Sequence, residues 1–314
     1  MADNNIAKTK YEKNKALPGK VLNSVIAALL YLISLLPFRL LYFLSDILYL
    51  FLRYVLKYRR KVIMENLTNA FPEKRQEEIY IIAGKFYHHL ADLIVETIKL
   101  RSISEKQLNK RISYKNLNLI DKYYSENKSI IMLAMHHNNW EWFSSLPKEI
   151  NHRCIMIYNP VRGNKSVEKF LIHARERWGG KCIAVDKSTR LVLDFHRKGI
   201  PTGIWLGADQ TSPATSKFWT YFLNREAPFF SGPEKIAVKT NQPVFFHQVR
   251  KTGRGYYETT FIPLIERPEE VKPKEILLTY IRKMEEIIRE EPEYYLWSHR
   301  RWKHKRPHGI KLVT

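Results

Sequence analysis

The stretch MLAMHHNNWEWF, Met132 to Phe143, ends an apolar run with two histidines, two asparagines and a glutamate set between two tryptophans. Ser129 to Met135 reads as a buried strand, which places His136 just beyond its carboxyl end. A helix is expected to begin around Asn138 or Asn139, with Glu141 in its first turn. If the loop folds back, the imidazole of His136 and the carboxylate of Glu141 meet at the sheet edge. The carboxylate would fix the tautomer and stabilise the imidazolium, leaving the other ring nitrogen to take a proton from a hydroxyl. Histidine suits that work because its ordinary pKa is about 6.5. Two other readings stand beside this one. Asn138 as N-cap with Glu141 at N3 would make a variant capping box with no chemistry. His137 and Glu141, spaced i,i+4, would be half of a metal site, for which the sequence offers no third ligand at persuasive spacing.

Outward from this stretch, short apolar runs recur at SIIMLAM (129–135), CIMIY (154–158), KCIAV (181–185) and PTGIWL (201–206). Helical stretches such as VEKFLIHARERW (167–178) and STRLVLDFHRK (188–198) separate them. Residues 73–99 place Ile79, Ile82, Phe86, Leu90 and Ile94 at helical spacing, with His88 and His89 as part of that helix's surface or core. QPVFFHQVR (242–250) and YYETTFIPL (256–264) predict a hairpin, and KEILLTYIRKMEEIIREEP (274–292) a late amphipathic helix. Strands alternating with helices predict an α/β fold with parallel segments, whose functional groups collect beyond the carboxyl ends of strands. No repeat or linker divides residues 59–314, which are read as one domain.

Residues 1–58 differ in kind. Val21 to Phe38 carries no charge, and after Arg39 the run LLYFLSDILYLFL is interrupted only by Asp46. The first run reaches the lower limit for a spanning helix, roughly 18 residues. Yet Lys8, Lys10, Lys13, Lys15 and Lys20 precede it, and Arg53, Lys57, Arg59, Arg60 and Lys61 follow the second run. Cationic flanks stay cytoplasmic, so two of them argue for a membrane-embedded hairpin or a pair of interfacial helices, with a single span as runner-up. Two buried helices of a soluble domain are the plain alternative.

Composition narrows the classes of partner. A chain of 314 residues that is 45% hydrophobic can bury a sizeable core, which excludes global disorder. Lys plus Arg number 53 against 31 Asp plus Glu, and the net charge of +22 favours acidic partners: nucleic acid, anionic lipid or an acidic carrier protein. Cys154 and Cys182 have neither metal-ligand spacing nor disulfide density, which points to buried, reduced thiols. The cluster HRRWKHKRP (299–307) would suit nucleic-acid phosphates, but an acidic carrier and a phosphorylated lipid suit it equally, and only these also explain the apolar amino terminus. No nucleotide or metal motif is visible, so activity without either is expected.

HHNNWE resembles the His-x4-Asp/Glu block of the lysophospholipid acyltransferase superfamily, in the H-x-x-N-W-E form of the bacterial lipid A late acyltransferases. Three further blocks follow that family's order: RRKVIMENLTNAFPEK (59–74), GIWLGADQTSP (203–213) and YLWSHRRWKHKRP (295–307). The resemblance covers nearly the whole chain. It implies a glycerolipid acyltransferase-like α/β fold, a mixed sheet flanked by helices, with an N-terminal hydrophobic membrane-associated helical segment. It also implies transfer of a fatty acyl chain from acyl carrier protein to a hydroxyl of a lipid A precursor, on the cytoplasmic face of the bacterial inner membrane. His136 is then the general base and Glu141 its orienting partner, with direct attack on the thioester. Trp140 is expected to pack rather than react. YNPVRGNKSVEKF (158–170) resembles the family's Tyr-Arg-Pro segment, but Asn159 stands where arginine is frequent, so Arg162 is the substitute for holding an oxyanion or a phosphate. Asp209 and Gln210 match the family's ADQ motif, with Asp209 expected to anchor the catalytic loops or a nearby arginine; Arg190 is a further substrate-binding candidate. Acylation of another membrane lipid, a lysophospholipid or an aminolipid, is the alternative reading, and a non-enzymatic basic protein binding membrane or nucleic acid is a third. Coenzyme A as donor also stays open.

Overall fold

The computed structural model describes residues 22–161 and 163–314; the lysines from Lys8 to Lys20, Val21 and Arg162 lie outside the described residues. Two short helices come first, α1 (22–35) and α2 (Phe38–Leu50), with the latter running into a π-helical turn, Phe51–Val55. Pro37, in extended conformation, ends the first and starts the second, as a residue lacking an N–H and fixed in φ should. Among the described residues no helix is long and apolar enough to cross a membrane. Then come α3 (Arg60–Ala70) and α4 (Gln76–Lys99), whose buried face carries Ile79, Ile82, Phe86 and Leu90 at the expected spacing.

The central sheet is built from β1 (Ile112–Lys115), β2 (Ile130–Ala134), β3 (Arg153–Tyr158), β4 (Lys181–Ala184), β5 (Thr202–Gly207), and two later strands. Helix α5 (Glu105–Asn109) precedes β1, and α6 (Leu117–Ser125), α7 (Lys165–Glu176) and α8 (Val185–Arg197) lie between the strands in the chain. A small antiparallel hairpin, β6 (Trp219–Phe222) and β7 (Arg225–Pro228), precedes α9 (Gly232–Thr240), and the long hairpin β8 (Val244–Gly253) and β9 (Tyr256–Ile265) precedes α10 (Glu275–Glu290). The seven strands run in the order β1-β9-β8-β2-β5-β3-β4. All neighbours pair parallel except β8 with β9, so the sheet is mixed and parallel-rich, as the alternating pattern predicts. All five residues of β2 are buried, which is why its sequence is continuously apolar rather than alternating. Cys154 and Cys182 are buried free thiols, and burial pushes the Cys154 thiol up to about 12.

Helix α4 joins the amino-terminal helices to the sheet through buried polar groups. Ser45 of α2 donates to Asp92 at 2.8 Å, and Arg254 at the tip of the β8–β9 hairpin forks between Asp92 and Asp46 at 2.7 and 2.6 Å. One turn further along, Glu96 is buried and accepts from Tyr42 of α2 at 2.8 Å, Tyr257 of β9 at 2.8 Å and Asn139 at 2.7 Å. Its backbone carbonyl takes the indole N–H of Trp142 at 3.0 Å. Burial, only partly offset by these donors, raises the Glu96 carboxyl to about 7. Because this folded-state pKa lies above the ordinary one near 4.5, the stability Glu96 contributes is full at low pH and declines as pH rises through about 7. Glu96→Ala would orphan two hydroxyls and an amide, and we expect a loss of roughly 2–4 kcal/mol against about 1 for Tyr42→Phe, measured by denaturant unfolding in detergent. Equal losses from the two substitutions would contradict the placement of Glu96 as the shared acceptor.

Candidate active site

Strands β2 and β5 are adjacent and parallel, with Ala134 opposite Gly207. Two residues past that register lie His136 and Asp209, so both leave the same sheet edge side by side. Asp209 accepts twice from the histidine: the His136 backbone N–H reaches Oδ2 at 3.1 Å and the ring Nδ1 lies 2.7 Å from Oδ1. A buried ionised carboxylate can only accept, so the proton sits on Nδ1 and Nε2 carries the lone pair. The Gln210 amide nitrogen lies 3.2 Å from that Nε2. Burial of the ring opposes its charge, but the charge and hydrogen bond of Asp209, with Glu141 adding, outweigh it and hold the His136 pKa above 6.5. Burial likewise opposes ionisation of Asp209, and the imidazole holds its carboxyl below the usual range nonetheless. Gly207 allows this approach, since a Cβ there would lie 3.1 Å from His136 Cε1.

Glu141 is placed differently from the sequence expectation. It receives a bidentate fork from Arg175 of α7, Nε at 2.7 Å and Nη2 at 2.6 Å, while the carboxylate bonded to His136 is Asp209. The physical reason is local: Asn138 is in the left-handed region at φ 54°, and the chain enters a 3-10 turn, Trp142–Lys148, rather than a helix beginning at Asn138 or Asn139. Glu141 therefore points its carboxylate at α7, close enough to act on His136 by charge alone. Asn139 holds the entry to this turn, its Oδ1 accepting the N–H groups of Glu141 at 3.0 Å and Trp142 at 3.2 Å. His137 is engaged elsewhere, with Nε2 3.0 Å from the carbonyl of Glu291, so it forms no pair with Glu141. Trp140 packs edge-on against His136, with ring centroids 4.8 Å apart.

The carboxyl-terminal block holds this loop from outside. The Asn138 N–H donates to the carbonyl of Tyr294 at 3.1 Å, and Leu296 donates to the carbonyl of His136 at 3.1 Å. Asn66 of α3 in turn donates to the carbonyls of Trp297 and His299 at 2.9 and 3.0 Å. The block at 59–74 thus bonds the carboxyl-terminal block, which in turn bonds the histidine loop. Part of the cationic cluster is interior: Arg301 is buried, its guanidinium 4.1 Å from the ring centre of Phe229, and Trp302 is buried beside it.

A cavity of about 190 Å³ opens beside this constellation, its lining including His136, Gln210, Glu141 and Arg175 as well as Phe143, Met156, Ile157 and Trp205. Under it, the Trp205 indole donates to His247 Nδ1 at 3.1 Å, and burial pushes His247 down to about 3, so this ring is neutral. Arg190 is exposed on α8 and lines neither this cavity nor the larger one next to it, so it does not join the site. Arg162 lies outside the described residues. Arg175, Glu96 and His247 were not singled out by sequence reasoning, which took Asn139 only as a candidate helix start. The only signal for Arg175 was its helix neighbouring the strand CIMIY.

The family model described as bacterial lipid A biosynthesis acyltransferase matches residues 8–304. A lipid A biosynthesis acyltransferase of Haemophilus influenzae is 25% identical, over 85% of this chain and 83% of its own length. The lipid A biosynthesis lauroyltransferase of Escherichia coli is 23% identical over 81% of this chain and 82% of its own, and the palmitoleoyltransferase of the same organism 23% over 87% and 88%. With a match of that extent over a histidine, an aspartate and a glutamate set beside a partly apolar cavity, the chain belongs to the bacterial lipid A biosynthesis acyltransferase family and is an acyltransferase enzyme.

Proposed function

We propose that the protein transfers a fatty acyl group from an acyl carrier thioester to a hydroxyl of a lipid A precursor, with His136 as general base. The observation that carries this reading is the bond from His136 Nδ1 to Asp209, which leaves Nε2 as a proton acceptor at the wall of the cavity. The acyl chain enters among Phe143, Met156, Ile157 and Trp205, with the thioester carbonyl near His136. Nε2 takes the proton of the acceptor hydroxyl as its oxygen attacks that carbonyl. The tetrahedral intermediate collapses, the C–S bond breaks, and the imidazolium returns the proton to the leaving thiolate. The carboxylate of Asp209 stabilises the imidazolium meanwhile.

The developing oxyanion needs a donor. Arg175 is clamped by Glu141 through Nε and Nη2, which leaves Nη1 outside the fork in a guanidinium lining the same cavity. We assign the oxyanion to this group, with Glu141 as the residue that positions it. Burial opposes ionisation of Glu141, and the guanidinium overcomes this and holds its carboxyl below the usual range. The Asn159 position supplies no charge, and Arg175 takes over the role expected of Arg162.

The amino-terminal helices support a membrane-surface location. Leu29, Leu32, Phe43, Ile47, Leu50 and Val55 are all exposed, and Ile81 of α4 extends the same apolar character. Exposed apolar side chains of this kind, followed in the chain by Arg53, Lys57 and Arg60, suit the interface of an anionic bilayer. Anchoring by residues 1–58, with the α/β domain of 59–314 on the cytoplasmic face, is the arrangement proposed.

Incubation of the membrane-reconstituted protein with acyl carrier protein bearing mixed acyl chains and an under-acylated lipid A precursor should raise the acceptor's mass by one acyl unit. His136→Ala should lose about 10²-fold or more in turnover, and full turnover in a folded His136→Ala protein would end the assignment. Arg175→Lys keeps the charge but not the fork, and should lower kcat by about 10²-fold with little change in KM; a change confined to KM would make Arg175 a binding group only. In flotation with phosphatidylglycerol vesicles the wild type should rise with the lipid and a Phe43→Glu, Ile47→Glu double variant should stay behind. Equal flotation would remove this face as the docking surface.

A further inference from the structure

The cavity beside His136 shares two wall residues, Asn159 and Gln210, with a second cavity of about 760 Å³. Both cavities have mixed linings: Phe143, Met156 and Trp205 with His136, Glu141 and Arg175 in the first, and Val185, Pro213 and Phe230 with Asp186, Lys303 and His304 in the second. Its wall includes Ser212, three residues beyond Asp209, whose side-chain oxygen is buried without a hydrogen-bond partner among the described residues. A buried hydroxyl in that state lacks the hydrogen bond that a ligand reaching it would supply.

The other groups define what that ligand is. Phe230 is 42% exposed, a flat apolar face beside polar neighbours, which matches the C–H face of a sugar ring. Asp186, at the start of α8, is an acceptor for hydroxyls and repels phosphate. Lys303 and His304 do the reverse. A carboxylate and two basic groups in one cavity therefore suit a ligand that carries both hydroxyls and a phosphate. A bare anion leaves Asp186 unused, and a linear amide such as a phosphopantetheine arm leaves the ring of Phe230 unused.

We propose that this second cavity is the subsite for the phosphorylated saccharide head of the acyl acceptor, with Phe230 under a sugar ring, Asp186 and Ser212 on its hydroxyls, and Lys303 with His304 on the phosphate. The inference rests on the transfer reading above and extends it to the acceptor. Donor and acceptor then occupy adjoining cavities and meet at Gln210, beside His136 Nε2. The carboxyl-terminal basic cluster divides accordingly: Arg301 is interior, and Lys303 and His304 face the substrate.

The test titrates the full-length protein in detergent with a soluble, deacylated amino-sugar disaccharide, with and without its phosphate, and separately with 4′-phosphopantetheine. Phe230→Ala should weaken both disaccharides by about tenfold, and the Lys303→Ala, His304→Ala double variant should weaken only the phosphorylated one by a similar factor. In the transfer assay both variants should raise the acceptor KM and leave the donor KM within about twofold. Unaltered disaccharide binding and acceptor KM in the variants would overturn the subsite, as would a loss confined to phosphopantetheine, which would give the cavity to the donor. A wild type that binds the disaccharide and transfers no acyl group would retain the subsite and sink the transfer reading instead.

Discussion

The contact between His136 and Asp209 is the constraint on which the rest of the site depends. It is a consequence of sheet register: β2 and β5 are parallel neighbours, Ala134 faces Gly207, and each chain continues two residues to its polar group. Both oxygens of Asp209 are used by the same residue, one on the ring and one on the backbone N–H, so ring orientation and loop position are fixed together. A buried carboxylate left without such partners would be strongly destabilising, and the arrangement therefore tolerates little drift of either strand end.

Around this contact the fold supplies a second layer whose members come from distant parts of the chain. Tyr280 of α10 donates to the carbonyl of Ala134 at 2.5 Å, fixing the end of β2. The carboxyl-terminal block bonds the backbone of His136 and Asn138, and α3 bonds that block in turn. From the opposite side Glu96 ties Asn139 to α2. The amino-terminal helix α2 and the loop that carries His136 are thus joined by one buried carboxylate.

Much of the sheet was legible because β2, β3, β4 and β5 are short apolar runs between amphipathic helices, and because β8 and β9 are separated by a tight polar turn. The β6–β7 hairpin was hidden: its turn is Leu223-Asn224, both at positive φ, and leucine gives no hint of that conformation. His136 was legible from its place at a strand end. Its carboxylate partner was not, since spacing along the chain favours Glu141 while the strand order, with β5 rather than β3 beside β2, brings Asp209 next to it. Glu141 keeps an active-site place through Arg175, a contact between a loop and a helix that no local pattern encodes.

In the proposed reaction Asp209, rather than Glu141, sets the protonation of His136. With the neutral ring as the proposed active form and its pKa above 6.5, kcat/KM should fall as pH drops through a value above 6.5 in the wild type. The most direct measurement is that pH–rate profile in the wild type, Asp209→Asn and Glu141→Gln. Asp209→Asn should shift the acid limb downward, to below 6.5, because burial then acts on the ring without the bonded carboxylate; Glu141→Gln should shift it less. An acid limb that stays in place in Asp209→Asn and moves in Glu141→Gln would contradict the account.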